Sequence, residues 1–139
     1  MAGYSGKPLV QKLGIKPGFR ILAAGAPVAY GELVGGLPAQ ATMVSEPRSA
    51  LDMVHLFATE AATLGDRLRL YRDAIAPDGM VWVSWPKKSS GVPTDLTDRV
   101  VREIALPLGL VDVKVCAIDD TWSALKFVIP TEQRIKRSK

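Results

Sequence analysis

Residues 51 to 83 confine this chain to few folds. LDMVHLFAT is near-continuously apolar after Asp52, too short for a helix of that character, and reads as a strand buried on both faces. From Glu60 to Ala76 the pattern changes period: Leu64, Leu68, Tyr71 and Ile75 fall four, three and four apart, which is one helical stripe. Pro77, Asp78 and Gly79 end it, and MVWVSW resumes as β-formers. Strand, amphipathic helix and strand in sequence require a crossover between parallel strands, so an α/β sheet with helices on its faces is expected.

The remaining segments extend that unit. Lys16-Pro17-Gly18 turns into FRILAAGAP, an apolar strand; VAYGELVGGL gives a short helical piece, and QATMVSEP a short strand stopped by Pro47. Beyond MVWVSW, Thr94 or Asp95 is expected to cap a helix presenting Leu96, Val100, Ile104 and Leu108, with Pro107 disfavouring helical geometry at Leu106 and Gly109 completing the exit. LVDVKVCAI and SALKFVI, joined by Asp119 to Trp122, form an antiparallel hairpin. The expected architecture is a single three-layer, Rossmann-like α/β domain over residues 1–130, mostly parallel with a C-terminal antiparallel hairpin, with residues 1–12 a loose N-terminal arm and 131–139 a flexible basic tail.

At 139 residues, 47 % hydrophobic and 23 % charged, the chain can bury a core without staples. It carries no apolar stretch long enough to span a bilayer and no signal-peptide pattern, so a cytoplasmic location without membrane contact is expected. One cysteine and one histidine exclude an intramolecular disulfide and weigh against a metal site. Of the net charge of +4, TEQRIKRSK supplies +3, which leaves residues 1–130 at +1 and weighs against nucleic acid as a partner.

The most chemically marked internal stretch is WPKKSSGVPTDLT, residues 85–97. It leaves the carboxyl end of a strand and precedes a helix, where open α/β sheets bind ligands. Trp85, Lys87, Lys88, Ser89, Ser90 and Thr94 form the candidate site for a small anion or a protein partner; the alternative is a crossover loop with solvated lysines. Trp85 and Trp122 would share a rim. Neither a phosphate-loop spacing nor G-x-G-x-x-G occurs. His55 reads as a hydrogen-bonded core or sheet-edge residue ahead of a general base, and Cys116 as a packed side chain ahead of a nucleophile. No catalytic residue is assigned.

LGIKPGFRILAAG resembles the segment that opens the nucleotide-binding core of class I S-adenosylmethionine-dependent methyltransferases, and the closing strand, helix and hairpin are similar to that fold's last third. GYSGKPLVQKLGIKPG and WVSWPKKSSGVPTDLT further resemble a bacterial family of single-domain proteins of uncharacterised activity. The methyltransferase resemblance implies a shortened version of that fold, lacking one strand-helix unit, with S-adenosylmethionine as the only cofactor to consider. It places cofactor contacts at Gly25, Pro27 and, on the ribose hydroxyls, Glu46. The sequence departs from the pattern where Ala23 or Ala24 replaces the acid ending the first strand and where Ala26-Pro27 replaces further glycines. Three functions follow as expectations: a degenerate methyltransferase-like binding or regulatory module, a small methyltransferase with a variant cofactor turn, or a nucleic-acid accessory protein using the tail with Lys87 and Lys88. An exposed edge at the short second strand would permit a homodimer.

Overall fold

The computed structural model describes residues 8–47 and 50–132. Six strands form one sheet: β1 (Arg20–Ala24), β2 (Thr42–Met43), β3 (Leu51–Phe57), β4 (Ile75–Pro86), β5 (Val111–Ala117) and β6 (Trp122–Val128), in the order β2-β1-β3-β4-β6-β5. The first four are parallel; β6 pairs antiparallel with both β4 and β5. This is the expected α/β sheet with its C-terminal hairpin. From β2 to β3 the chain passes through residues 44–50, with no helix among the described ones.

Helices cover both faces. α3 (Ala61–Ala74) and α4 (Asp98–Ala105) lie against one, where Leu64, Leu68, Val101 and Ala105 pack on Val81, Val83, Leu125 and Phe127. The other face carries α1 (Leu9–Leu13) and α2 (Tyr30–Leu33), which bury Leu13, Tyr30 and Val34 on Ile21, Met53 and Trp82. Residues 9–12, expected to be a loose arm, are therefore part of the packed layer: Leu9, Val10 and Leu13 share one helical face, and the Trp82 indole N–H donates to the Leu13 carbonyl at 3.0 Å. Of the expected tail, 131–132 begin a helical turn and 133–139 lie outside the described residues.

Three local readings need correction. Ile75 is not the last position of the α3 stripe but the first residue of β4, paired with Leu51. The register then jumps, so that Met53 opposes Met80, and Pro77-Asp78-Gly79 forms an irregularity within the strand's start. A Cβ on Gly79 would lie 2.9 Å from the Leu51 carbonyl oxygen, so this crossing admits only glycine. Leu106 keeps right-handed helical angles despite preceding Pro107, because α4 ends at Ala105 and residues 106–108 tighten into a 3₁₀ turn closed by left-handed Gly109.

The third concerns α4's cap. Thr97, not Thr94 or Asp95, fills that role, its Oγ1 accepting from the Val100 N–H at 3.2 Å. Asp95 instead accepts from the Ala61 N–H at 2.8 Å, supplying α3 with a cap from 34 positions away, while Thr94 donates to the Thr59 carbonyl at 2.7 Å.

Candidate functional site

The carboxyl ends of β1, β2, β3 and β4 meet the β5–β6 turn along one rim, and the sequence-derived residues fall on it in two groups. Gly25 and Glu46 belong to the first. Gly25 leaves β1 at φ +77°, and a Cβ there would lie 3.0 Å from the Phe57 carbonyl oxygen, so the turn closes tightly on β3. β2 ends at Met43, paired with Ile21, and Glu46 follows three residues later in the bend that leaves this strand. Pro27 and Glu46 are exposed. The arrangement fits half of what the methyltransferase resemblance requires: a tight glycine turn after β1, with an acid shortly past the end of β2. Its other half, an acid ending β1, is missing, since Ala23 and Ala24 stand there.

The loop residues form the second group, beside a groove of about 440 Å³. Trp85, Leu96 and Val115 give it an apolar lining, and Lys87, Lys88 and Asp98 its charges. Lys87 is clamped twice: its amide donates to the Thr121 carbonyl and its Nζ to the Asp119 carbonyl, both at 2.7 Å. A carbonyl leaves the ammonium charge uncancelled. Lys88 is exposed and pairs with no carboxylate among the described residues. Asp98, by contrast, is neutralised by Arg102 at 3.3 Å. Ser90 is consumed by the loop, donating to the Lys87 carbonyl at 2.7 Å and accepting from the Val92 amide, and Thr94 likewise by the Thr59 carbonyl. Ser89 is exposed.

Trp85 and Trp122 stand at the same rim but on opposite faces of the sheet. Trp85 opposes Ser123 and packs with the α3/α4 face; Trp122 is one register position away and packs on the other, edge-on to Phe57 at 5.2 Å.

Sequence reasoning placed His55 in the core but missed its partners. Nδ1 lies 2.6 Å from the Tyr30 hydroxyl and Nε2 2.7 Å from Ser84 Oγ, with the ring stacked on Phe57 at 4.3 Å. All three polar residues are buried, and burial lowers the His55 pKa to about 3 and raises that of Tyr30. The neutral imidazole donates through one nitrogen and accepts through the other, so this triad ties α2 to β3 and β4. A polar residue in each of two adjacent apolar strands was the only sequence signal available. Cys116 is buried, and burial raises its thiol pKa, as expected of a packed cysteine. No helix among the described residues is long and apolar enough to cross a membrane, and none of them cluster as metal ligands.

Comparison with solved structures gives the class of fold. A SAM-dependent methyltransferase from Aquifex aeolicus superposes with a TM-score of 0.67 at 12 % identity, covering 87 % of both chains. Magnesium protoporphyrin IX methyltransferase from Synechocystis PCC 6803, solved with bound SAM, gives 0.60 at 11 % identity over 88 % of this chain and 74 % of that one. The fibrillarin pre-rRNA processing protein of Methanococcus jannaschii gives 0.60 at 11 % over 83 % and 68 %. The chain therefore has a shortened class I methyltransferase fold. No family model and no curated protein matches it.

Proposed function

We propose that this chain is a non-catalytic, methyltransferase-like binding module that takes an anionic ligand with an apolar portion in the groove of the 85–97 loop. One observation carries the reading: Lys87 and Lys88, without carboxylate partners among the described residues, line the groove with Trp85, Leu96 and Val115, while the acid in that lining, Asp98, is already paired. Phosphate or carboxylate on the ligand meets the ammonium groups, and its apolar part covers Trp85. His55, the chain's single histidine, is held between Tyr30 and Ser84 and lies outside this groove.

A panel of nucleoside monophosphates, inorganic phosphate and aromatic carboxylates, screened by thermal unfolding, tests the proposal. A ligand at a hundred times its Kd adds about 2.7 kcal/mol, a shift of several degrees in a domain of this size. The shift should vanish in the Lys87→Ala, Lys88→Ala double variant; its persistence there, or silence across the panel, sinks the reading.

A second reading has its own support in Gly25 and Glu46. S-adenosylmethionine would lie across their turn, with Glu46 on its ribose hydroxyls, and the chain would be a small methyltransferase or a cofactor-binding relic. Calorimetric titration with S-adenosylmethionine and S-adenosylhomocysteine decides it. Glu46→Ala is the informative variant, because any side chain at Gly25 would strain the fold as well as the pocket.

A further inference from the structure

Among the described residues the cations divide by how they are paired. Four of the five arginines on α3 and α4 meet an acid within 4.0 Å: Arg69 with Asp66, Arg72 with Asp73, Arg99 with Glu103, and Arg102 with Asp98 and Asp112. Lys87, Lys88, Lys114 and Lys126 meet none. Arg67 departs from the other arginines: half-buried on α3, it pairs with no carboxylate among the described residues. Glu60, seven positions back on the same side of the helix, does not pair with it.

The Arg67 guanidinium is turned instead to the exit of β1. A Cβ on Gly25 would lie 3.7 Å from Arg67 Nη2 as well as 3.0 Å from the Phe57 carbonyl oxygen, so the cation stands over the tight passage between β1 and β3. That passage has a topological meaning. β2 lies on one side of β1 and β3 on the other, so the chain reverses its direction across the sheet there, and open α/β sheets take ligands in the crevice outside such a reversal. Glycine keeps that side of the guanidinium open, because a side chain at position 25 would stand against it. Thr63, exposed one turn earlier on α3, neighbours Arg67 at i,i+4 and adds a hydroxyl. Pro27 and Val28, both exposed, give the turn an apolar outer wall. A half-buried charge without a counter-ion costs free energy that an anion would offset, and Ala23 and Ala24, ending β1, supply no acid.

We infer that the β1 turn is an oxyanion site in which Arg67 takes the carboxylate or phosphate of a small molecule, whose body lies over Pro27 and Val28. The planar guanidinium fork matches either group through two parallel N–H donors. The site belongs to β1, β3 and α3 and uses neither Lys87 nor Lys88, so it stands or falls independently of the 85–97 groove. It also opposes the cofactor reading of the same turn, because S-adenosylmethionine carries a net positive charge that Arg67 would repel.

Amide and side-chain N–H NMR of the full chain, titrated separately with benzoate, phenyl phosphate and inorganic phosphate, tests the assignment. The Gly25, Ala26 and Val28 amides and the Arg67 side-chain signals should shift saturably; benzoate against phenyl phosphate identifies the preferred oxyanion, and inorganic phosphate isolates the contribution of the apolar body. Arg67→Gln should weaken binding on the order of tenfold or more while the rest of the spectrum holds, so the loss cannot be laid to unfolding. Arg67→Lys, which keeps the charge and loses the fork, should fall between the two. Lys87→Ala with Lys88→Ala should leave the Gly25 shifts as they are, and sodium chloride at equal ionic strength should produce none. No saturable shift at Gly25, parent affinity in Arg67→Gln, or tighter binding of S-adenosylmethionine than of either oxyanion at these amides would each overturn the assignment. Shifts confined to the 85–97 loop would overturn it too, while leaving the groove reading in place.

Discussion

The two faces of this sheet are built by different rules. Under α3 and α4 the core is wholly apolar, and the charges above it pair along or between elements. Beneath α1 and α2 the same sheet buries Tyr30, His55 and Ser84, covers them with helices of five and four residues, and sets Lys114 opposite Lys126 with no carboxylate paired to either among the described residues. Long amphipathic helices are sufficient where the only task is burial. The second face accepts terms that cost stability, which is the pattern of a surface selected for something besides folding.

The sharpest break between the faces should come from truncation. Phe127→Ala, at a fully buried position of the α3/α4 face, should cost about 3–5 kcal/mol in denaturant unfolding, the usual range for removing a core aromatic. Acid should act on the other face. In the unfolded chain His55 titrates near its ordinary 6.5, whereas in the fold it stays neutral to about 3. Between those values the unfolded state binds more protons, so stability is full above about pH 6.5 and falls as pH drops, by about 1.4 kcal/mol per unit. Replacing the triad with Tyr30→Phe, His55→Leu and Ser84→Ala should flatten that acid limb; an undiminished slope would place the sensitivity elsewhere.

Single and concerted changes separate satisfaction from burial. His55→Leu alone strands the Tyr30 and Ser84 hydroxyls and should cost about 1–3 kcal/mol for each group left unpaired, while the triple replacement should recover much of that loss. Asp95→Ala, which uncaps α3 from across the molecule, should cost about 1 kcal/mol. At the small end, Arg99→Ala removes an exposed pair with Glu103 and should change stability by about 0.5 kcal/mol or less. A larger effect would mean that the α3/α4 face is less self-compensating than its pairs suggest.

What the sequence disclosed followed from periodicity. Two-sided strands such as 53–57 and the α3 stripe announce themselves, because burial on both faces or on one stripe leaves a countable pattern. α1 was obscured by being short and flanked by proline and glycine, and Ile75 by fitting the helical spacing it had already left. The site was legible only as a location. That Lys87 reaches the Asp119 carbonyl, that Asp95 serves a different helix, or that Lys114 faces Lys126 depends on strand order and register, which pair residues 32, 34 and 12 positions apart. Summed charge carried no information about the segregation of lysines for the same reason.

The anchors of the 85–97 loop also set an order of assembly. Its first half is held by the β5–β6 turn, later in the chain, and its second by the β3 exit and the start of α3, earlier in it, so the loop is fixed at both ends only once segments on both sides of it have come together. The Lys87 amide, donated to Thr121, should accordingly be among the last to gain protection during refolding and among the first to exchange in the native state. The loop thus reports, through a single backbone proton, on whether the hairpin has docked.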